Sequence, residues 1–262
     1  MSIIKEFFGW GGYTREPEGY FSWQHILFVT CLLAIMAVLA VILGKQAKRR
    51  GEPVRERILV ITAVVLLTVE AFKLAILYAR SPEASTILHN LPLFLCSIQS
   101  VAIPVAAFSH GRIKHAALDF ILIFGILGAI MGTYFAGQNY GCYPVLCFDN
   151  LVSGLTHSIA GFCSLYIAMS GLVSMKKRNI PFTFAILLFF CGSAAIANEL
   201  IDYNYMFMVR GDGTPYDILY NFVGGNPILY PIGVILLFIL YILAFYGVYF
   251  LIQFARQKKK AA

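Results

Sequence analysis

Cys96 and His157 are the residues in this sequence best suited to making and breaking a covalent bond where water is scarce. A thiol is a modest nucleophile until a base takes its proton, and imidazole is the side chain whose ordinary pKa suits it to that task near neutral pH. Both lie inside long apolar stretches, as do Glu70 and Asn198. A charged group in hydrocarbon costs about 2.5–3.5 kcal/mol on insertion scales, so such groups usually face a protein interior or a watery cavity. For Cys96 two readings stand. It is small apolar filler, the part given to Cys31, Cys163 and Cys191, or a nucleophile activated by a neighbouring base. For His157 a proton-handling role is favoured over packing, because a histidine is a costly filler in a bilayer.

These residues must be positioned by helices that cross a membrane. The chain is 60% apolar and only 13% charged, against about 25% charged residues in soluble domains. Windows of about 20 apolar residues place spans at Phe21–Gly44, Ile58–Ala79, Leu88–Phe108, Ala116–Phe135, Leu151–Met175, Pro181–Leu200 and Pro227–Ile252. A helix satisfies its own backbone hydrogen bonds in lipid, so the expected fold is all-α, a polytopic seven-transmembrane-helix bundle. It is preceded by an interfacial segment, residues 1–20, and followed by a basic tail, residues 253–262.

Charge sets the orientation. Lys45, Lys48, Arg49, Arg50, Arg55 and Arg57, then Arg112 and Lys114, then Lys176, Lys177 and Arg178, then Arg256 and Lys258 to Lys260 fall on one side. The other side has Lys5, Arg15, Arg80 and Arg210. The positive-inside rule puts the N-terminus outside and the C-terminus in the cytoplasm. It also accounts for the net charge of +7 without a nucleic-acid partner. The first residues mix Lys5 and Arg15 with Glu6, Glu16 and Glu18, which is not the basic start of a signal peptide. Their aromatic side chains suit the headgroup layer.

Helix rise then gives depth. Cys96, His157 and Glu70 fall about 12, 9 and 13 Å inside the outer ends of their spans, with His25 and Asn198 roughly 6 Å or less down. His89, Cys96, Gln99 and Ser100 share a face on a helical third span, and Ser153, His157, Gly161 and Ser164 share one on the fifth. Small polar residues in such stripes also join helices, which is the favoured reading for the serines and glycines. Glu70 and Lys73 are one turn apart. They form either a self-neutralising pair or a group in which Glu70 orients His157 or meets a polar headgroup. Gly125, Gly128 and Gly132 are read as packing positions.

The outer loop from Asp202 to Asn226 carries Thr214-Pro215, a helix start, and Gly224-Gly225, a helix stop. The short helix between them is an interfacial anchor or a lid. Cys142 and Cys147 lie close on an outer loop, where oxidation would permit a disulfide, but their spacing does not establish one. No cysteine–histidine pattern has zinc-finger spacing, and no metal or cofactor is expected.

Phe21-Ser22-Trp23-Gln24-His25, Leu91-Pro92-Leu93-Phe94-Leu95-Cys96, His157 and Asn204-Tyr205-Met206-Phe207 together resemble the YwaF-like family of bacterial integral membrane proteins. The likeness runs in order over nearly the whole chain, and that family is similar at a distance to the eukaryotic transmembrane protein 164 lipid acyltransferases. The resemblance implies acyl transfer between phospholipids through an acyl-Cys96 thioester, with His157 as general base. The chain departs from the bacterial pattern at Phe94, usually histidine, and at Ser97, usually acidic or amide. In the eukaryotic relatives the cysteine directly follows the proline, the position of Leu93 here.

The expected function is therefore a membrane acyltransferase or lipid hydrolase in a bacterial plasma membrane, acting on a phospholipid or other amphiphile. Cys96 and His157 would be catalytic, with His25, Glu70, Gln99, Asn198, Asn204 and Tyr205 binding substrate and Asn198 or Gln99 orienting the carbonyl. The alternative is a non-enzymatic binder or transporter of a lipid or small polar solute built from the same groups. A rhodopsin-like receptor ranks last, since the last span has no lysine.

Overall fold

The computed structural model describes residues 3–173 and 175–261, without the side chains of 259–261. Lys259 and Lys260, counted above in the basic tail, therefore lie outside the described side chains. Two compact units divide the chain, Met1–Ser174 and Met175–Ala262.

In the first unit, a short helix α1 (Ile3–Phe7) leads through an irregular segment to α2 (Trp23–Arg50), which Ser22 caps by accepting the N–H of His25 at 3.3 Å. Gly51, at φ 95°, is the joint between α2 and α3 (Glu52–Arg80), where Pro53 occupies the first turn. Then come α4 (Ala84–Leu88), α5 (Gln99–Phe108), α6 (Gly111–Tyr134), α7 (Gly137–Cys142) and α8 (Phe148–Ser170). Gly171 in the left-handed region ends α8 five residues short of the expected Met175.

Among the described residues six helices are long and apolar enough to cross a membrane, not seven. The difference is the third stretch, where α4 is followed by an irregular run over 89–98 and then by the ten-residue α5. Pro92 explains the break. It lacks an N–H, its ring collides with the preceding turn, and it disfavours helical backbone at Leu91. Its neighbours are tied together at both ends of α3. At one end Arg80 pairs with Asp149, and at the other Lys114 pairs with Glu56 at 2.5 Å while Tyr166 Oη donates to the Arg55 carbonyl at 3.0 Å.

Close backbone approach holds α8 against α2 and α6. A methyl at Gly125 would lie 2.7 Å from the Ala160 carbonyl oxygen, and one at Gly161 would lie 2.6 Å from Cβ of Ala129. On the α2 side, a methyl at Gly44 would meet Cβ of Met169 at 2.5 Å. Small residues let helices approach in lipid, where no hydrophobic force drives them together. Ser164 adds a hydrogen bond to the Leu122 carbonyl at 2.8 Å.

In the second unit α9 (Ile180–Ile201) begins on Pro181, and α11 (Leu229–Ala261) runs through the residues expected to form a separate tail. Thr183 and Tyr246 link the two helices by their hydroxyls at 3.2 Å. Between them lies α10 (Tyr216–Phe222), close to the expected position. Thr214 Oγ1 accepts the Tyr216 N–H at 3.3 Å, and Gly224 and Gly225 follow with positive φ.

Candidate functional site

The break at Pro92 removes Cys96 from a regular helix and sets it just before α5. His157 stands on α8, nine residues after its start at Phe148. The two side chains meet within hydrogen-bond reach. His157 Nδ1 lies 2.7 Å from the Ser153 carbonyl oxygen. A carbonyl can only accept, so Nδ1 carries a proton and Nε2 is the ring nitrogen left for the thiol.

Two glycines of α6 make room for the pair. A methyl at Gly132 would lie 2.0 Å from both Cδ2 and Nε2 of His157, so the ring rests on bare backbone. One turn earlier, a methyl at Gly128 would sit 3.5 Å from Cβ of Cys96. The 128/132 spacing does bring helices together as expected, but what it accommodates is the cysteine–histidine pair. Lys73 lies within electrostatic range of His157 and is bound to Glu70 at 2.5 Å, so the expected pair forms beside the imidazole. Nothing in the spacing of Lys73 had marked it as a neighbour of His157.

Gln99 is 1% exposed, and neither its Oε1 nor its Nε2 has a hydrogen-bond partner. The Gln99 N–H bonds the Cys96 carbonyl at 3.3 Å, a three-residue turn that holds both residues on one side. His89, expected on that face, instead caps α4 across the irregular run, because a broken helix does not carry a face through.

The other candidates make hydrogen bonds within the protein. His25 is fully buried, its Nδ1 accepting the Phe21 N–H at 3.1 Å and its Nε2 contacting the Thr133 carbonyl at 3.0 Å. In the second unit Asn198 exchanges hydrogen bonds with the backbone of Tyr205, at 3.1 and 2.6 Å. Asn204 donates to the Arg210 carbonyl and to Asp212, and accepts from Val209 and Arg210. These amides hold a loop that passes through positive φ at Asp202, Met206, Phe207 and Asp212. Such conformations are costly for residues other than glycine and need this kind of support.

The segment before α2 packs on the start of α8. Tyr13 hydrogen-bonds Asp149, which also takes Arg80 at 2.7 Å, and Phe8 lies against Phe148 at 5.3 Å between centroids. Burial, with Asp149 beside it, pushes the Tyr13 hydroxyl pKa up. Burial also pushes up the Cys147 thiol, which makes it a poor nucleophile near neutral pH. Cys142 and Cys147 are both free thiols, so the disulfide their spacing permitted is not formed. Among the described residues no group of three or more His, Cys, Asp or Glu could hold a metal ion.

A thiol hydrogen-bonded to a neutral imidazole can pass its proton to that ring and attack an electrophilic carbon. This is acyl-transfer chemistry when the carbon is an ester carbonyl. The TMEM164 family profile matches residues 20–254, which include both members of the pair. No curated protein and no solved structure matches the chain.

Proposed function

Because the chain belongs to the TMEM164 family, we propose that this integral membrane protein is an acyltransferase or lipid hydrolase acting on phospholipid acyl groups. The juxtaposition of Cys96 and His157 over Gly128 and Gly132 of α6 is the observation that carries the reading. Cys96 Sγ attacks the ester carbonyl as its proton passes to His157 Nε2. The C=O electron pair moves onto oxygen, then returns as the C–O ester bond breaks. The departing lysolipid alkoxide takes the proton from His157, leaving an acyl thioester on Cys96. A hydroxyl acceptor or water, deprotonated by the same nitrogen, attacks the thioester, and Cys96 leaves with its proton restored. Ser153 keeps Nδ1 protonated throughout and so keeps Nε2 the working atom.

Glu70 and Lys73 meet the polar headgroup, while His25, Asn198, Asn204 and Tyr205 act by shaping the protein. The charge of the loops supports an N-terminus outside and a C-terminus in the cytoplasm, which puts the pair in the outer half of the bilayer. The short motifs shared with bacterial YwaF-like proteins support a bacterial plasma membrane.

The test is acyl exchange followed by mass spectrometry, with purified protein, defined phospholipids and a lysolipid acceptor. Wild type exchanges chains, and Cys96→Ala and His157→Ala both lose the exchange. Loss in His157→Ala alone moves the nucleophile elsewhere. No exchange by wild type with any lipid favours the binder or transporter.

A further inference from the structure

The irregular run over 89–98 looks like a defect in a membrane-spanning segment, since it gives up helical hydrogen bonds where water cannot replace them. Its position suggests a use. The N–H groups that face the Cys96 sulfur are those of Cys96 and Ser97, three and two residues before the start of α5. The backbone around them is tied off by local bonds. The Phe94 N–H donates to Ser97 Oγ at 3.0 Å, the Ile98 N–H to the Phe94 carbonyl at 3.0 Å and the Ser100 N–H to the Ser97 carbonyl at 3.0 Å. A continuous helix would have directed the N–H groups of Cys96 and Ser97 back along its own axis. One turn further on is the Gln99 carboxamide, 1% exposed and without a partner at either atom. A buried amide left unpaired is uncommon in proteins, and it points to a ligand that completes it.

We infer that this break is an oxyanion hole, formed by the main-chain N–H groups of Cys96 and Ser97 with Gln99 Nε2 as the third donor. The inference rests on the thioester reading above and names the groups that stabilise its tetrahedral intermediate. When Cys96 Sγ bonds to the carbonyl carbon, the displaced π pair becomes a negative charge on oxygen beside the nucleophile's own backbone. Donors fixed there before reaction need no reorganisation, and in a dry site they act far more strongly than in water. The positive end of the α5 dipole adds in the same sense. Gln99 is thereby a catalytic residue, and Pro92 is a positioning residue, because it ends the helix that would otherwise consume the two backbone donors.

The experiment compares two reactions of Cys96 in the full-length protein held in lipid nanodiscs. Hexadecanal adds the thiol across its C=O bond; the S–C bond forms and the thiol proton ends on the new oxygen. The hemithioacetal carries that oxygen where the oxyanion would sit. Iodoacetamide alkylates the same sulfur by displacement of iodide and passes through no such oxygen. Gln99→Leu is expected to weaken aldehyde binding by about 30-fold or more and to lower kcat by about 10²-fold at unchanged KM. Its alkylation rate should stay at the wild-type value. Gln99→Met, of similar length but lacking the amide donor and carrying no charge, should behave in the same way and serves if the leucine variant does not fold. Equal aldehyde affinity in wild type and variant overturns the hole and leaves the thioester reading standing. Alkylation falling in step with aldehyde affinity also overturns it, since Gln99 would then only shape the pocket. An aldehyde that binds wild type and Cys96→Ala alike overturns the thioester reading itself.

Discussion

His25 and His157 sit in the same unit, both on apolar helices, and both pass a ring nitrogen to a backbone carbonyl. They differ in the other nitrogen. In His25 it accepts the Phe21 N–H, and the ring stacks on Tyr140 at 3.8 Å between centroids, so the imidazole joins the N-terminal segment, α2 and the end of α6. In His157 it faces a thiol, across a floor of bare glycine backbone. A histidine in hydrocarbon is therefore not by itself a sign of chemistry. The informative quantity is how many of its nitrogens the fold consumes.

The strongest way to break that contrast is to make the same substitution at both positions, beginning with the reacting one. Gln can keep a hydrogen bond to a carbonyl but cannot take up a proton near neutral pH. His157→Gln is expected to lower acyl exchange by about 10²–10⁴-fold, the range for loss of a general base, while the protein remains folded by gel filtration and melting. Exchange surviving within a few-fold would mean that the Cys96–His157 contact is packing. The second largest effect belongs to the glycine floor. Gly132→Ala places a methyl 2.0 Å from Nε2, so the ring must turn or α6 must move. A displacement of about 1 Å in a reacting group can cost about 10²-fold, and a loss near that size is expected with both reacting residues intact. Gly128→Ala is the foil, because its methyl would meet Cys96 at an ordinary 3.5 Å. Matching rates for the two alanine variants would show that α6 only holds the bundle together.

Much of this was visible in the residues themselves. The long apolar windows located six helices, and the fixed composition of Thr214-Pro215 and Gly224-Gly225 marked α10, because caps and stops act through local backbone geometry. The third stretch was misread for a related reason. Its hydropathy passes the length test, but hydropathy is blind to Pro92, whose effect is steric. His157 could be singled out because a histidine is a costly filler in hydrocarbon, and Cys96 by the motif that carries the family resemblance. Their contact could not, because it depends on how α5 and α8 pack against α6. Gly128 and Gly132 show the same limit from the other side. Spacing announced a close approach but not what approaches. Asn198 was picked as a ligand group by its polarity and depth, and Asn204 and Tyr205 through the motif that carries the family resemblance; their hydrogen bonds close a loop held in left-handed backbone. Polarity reports a need for partners; only packing decides whether those partners are protein or substrate.

The smallest effect on chemistry is expected at His25, and it is the one that completes the contrast. Replacing its ring by the shorter amide of Gln removes the stacking on Tyr140 and at least one of the bonds to Phe21 and Thr133. An unpaired buried backbone group costs about 1–3 kcal/mol, so the His25→Gln protein should melt several degrees lower. Its exchange rate per folded molecule should equal that of wild type, because none of the lost contacts reaches Cys96 or His157. Measured together, melting and exchange separate the two histidines: at His157 activity falls and stability holds, at His25 stability falls and activity holds. A His25→Gln protein that melts normally but exchanges slowly would reverse the assignment and bring His25 back among the groups that handle substrate.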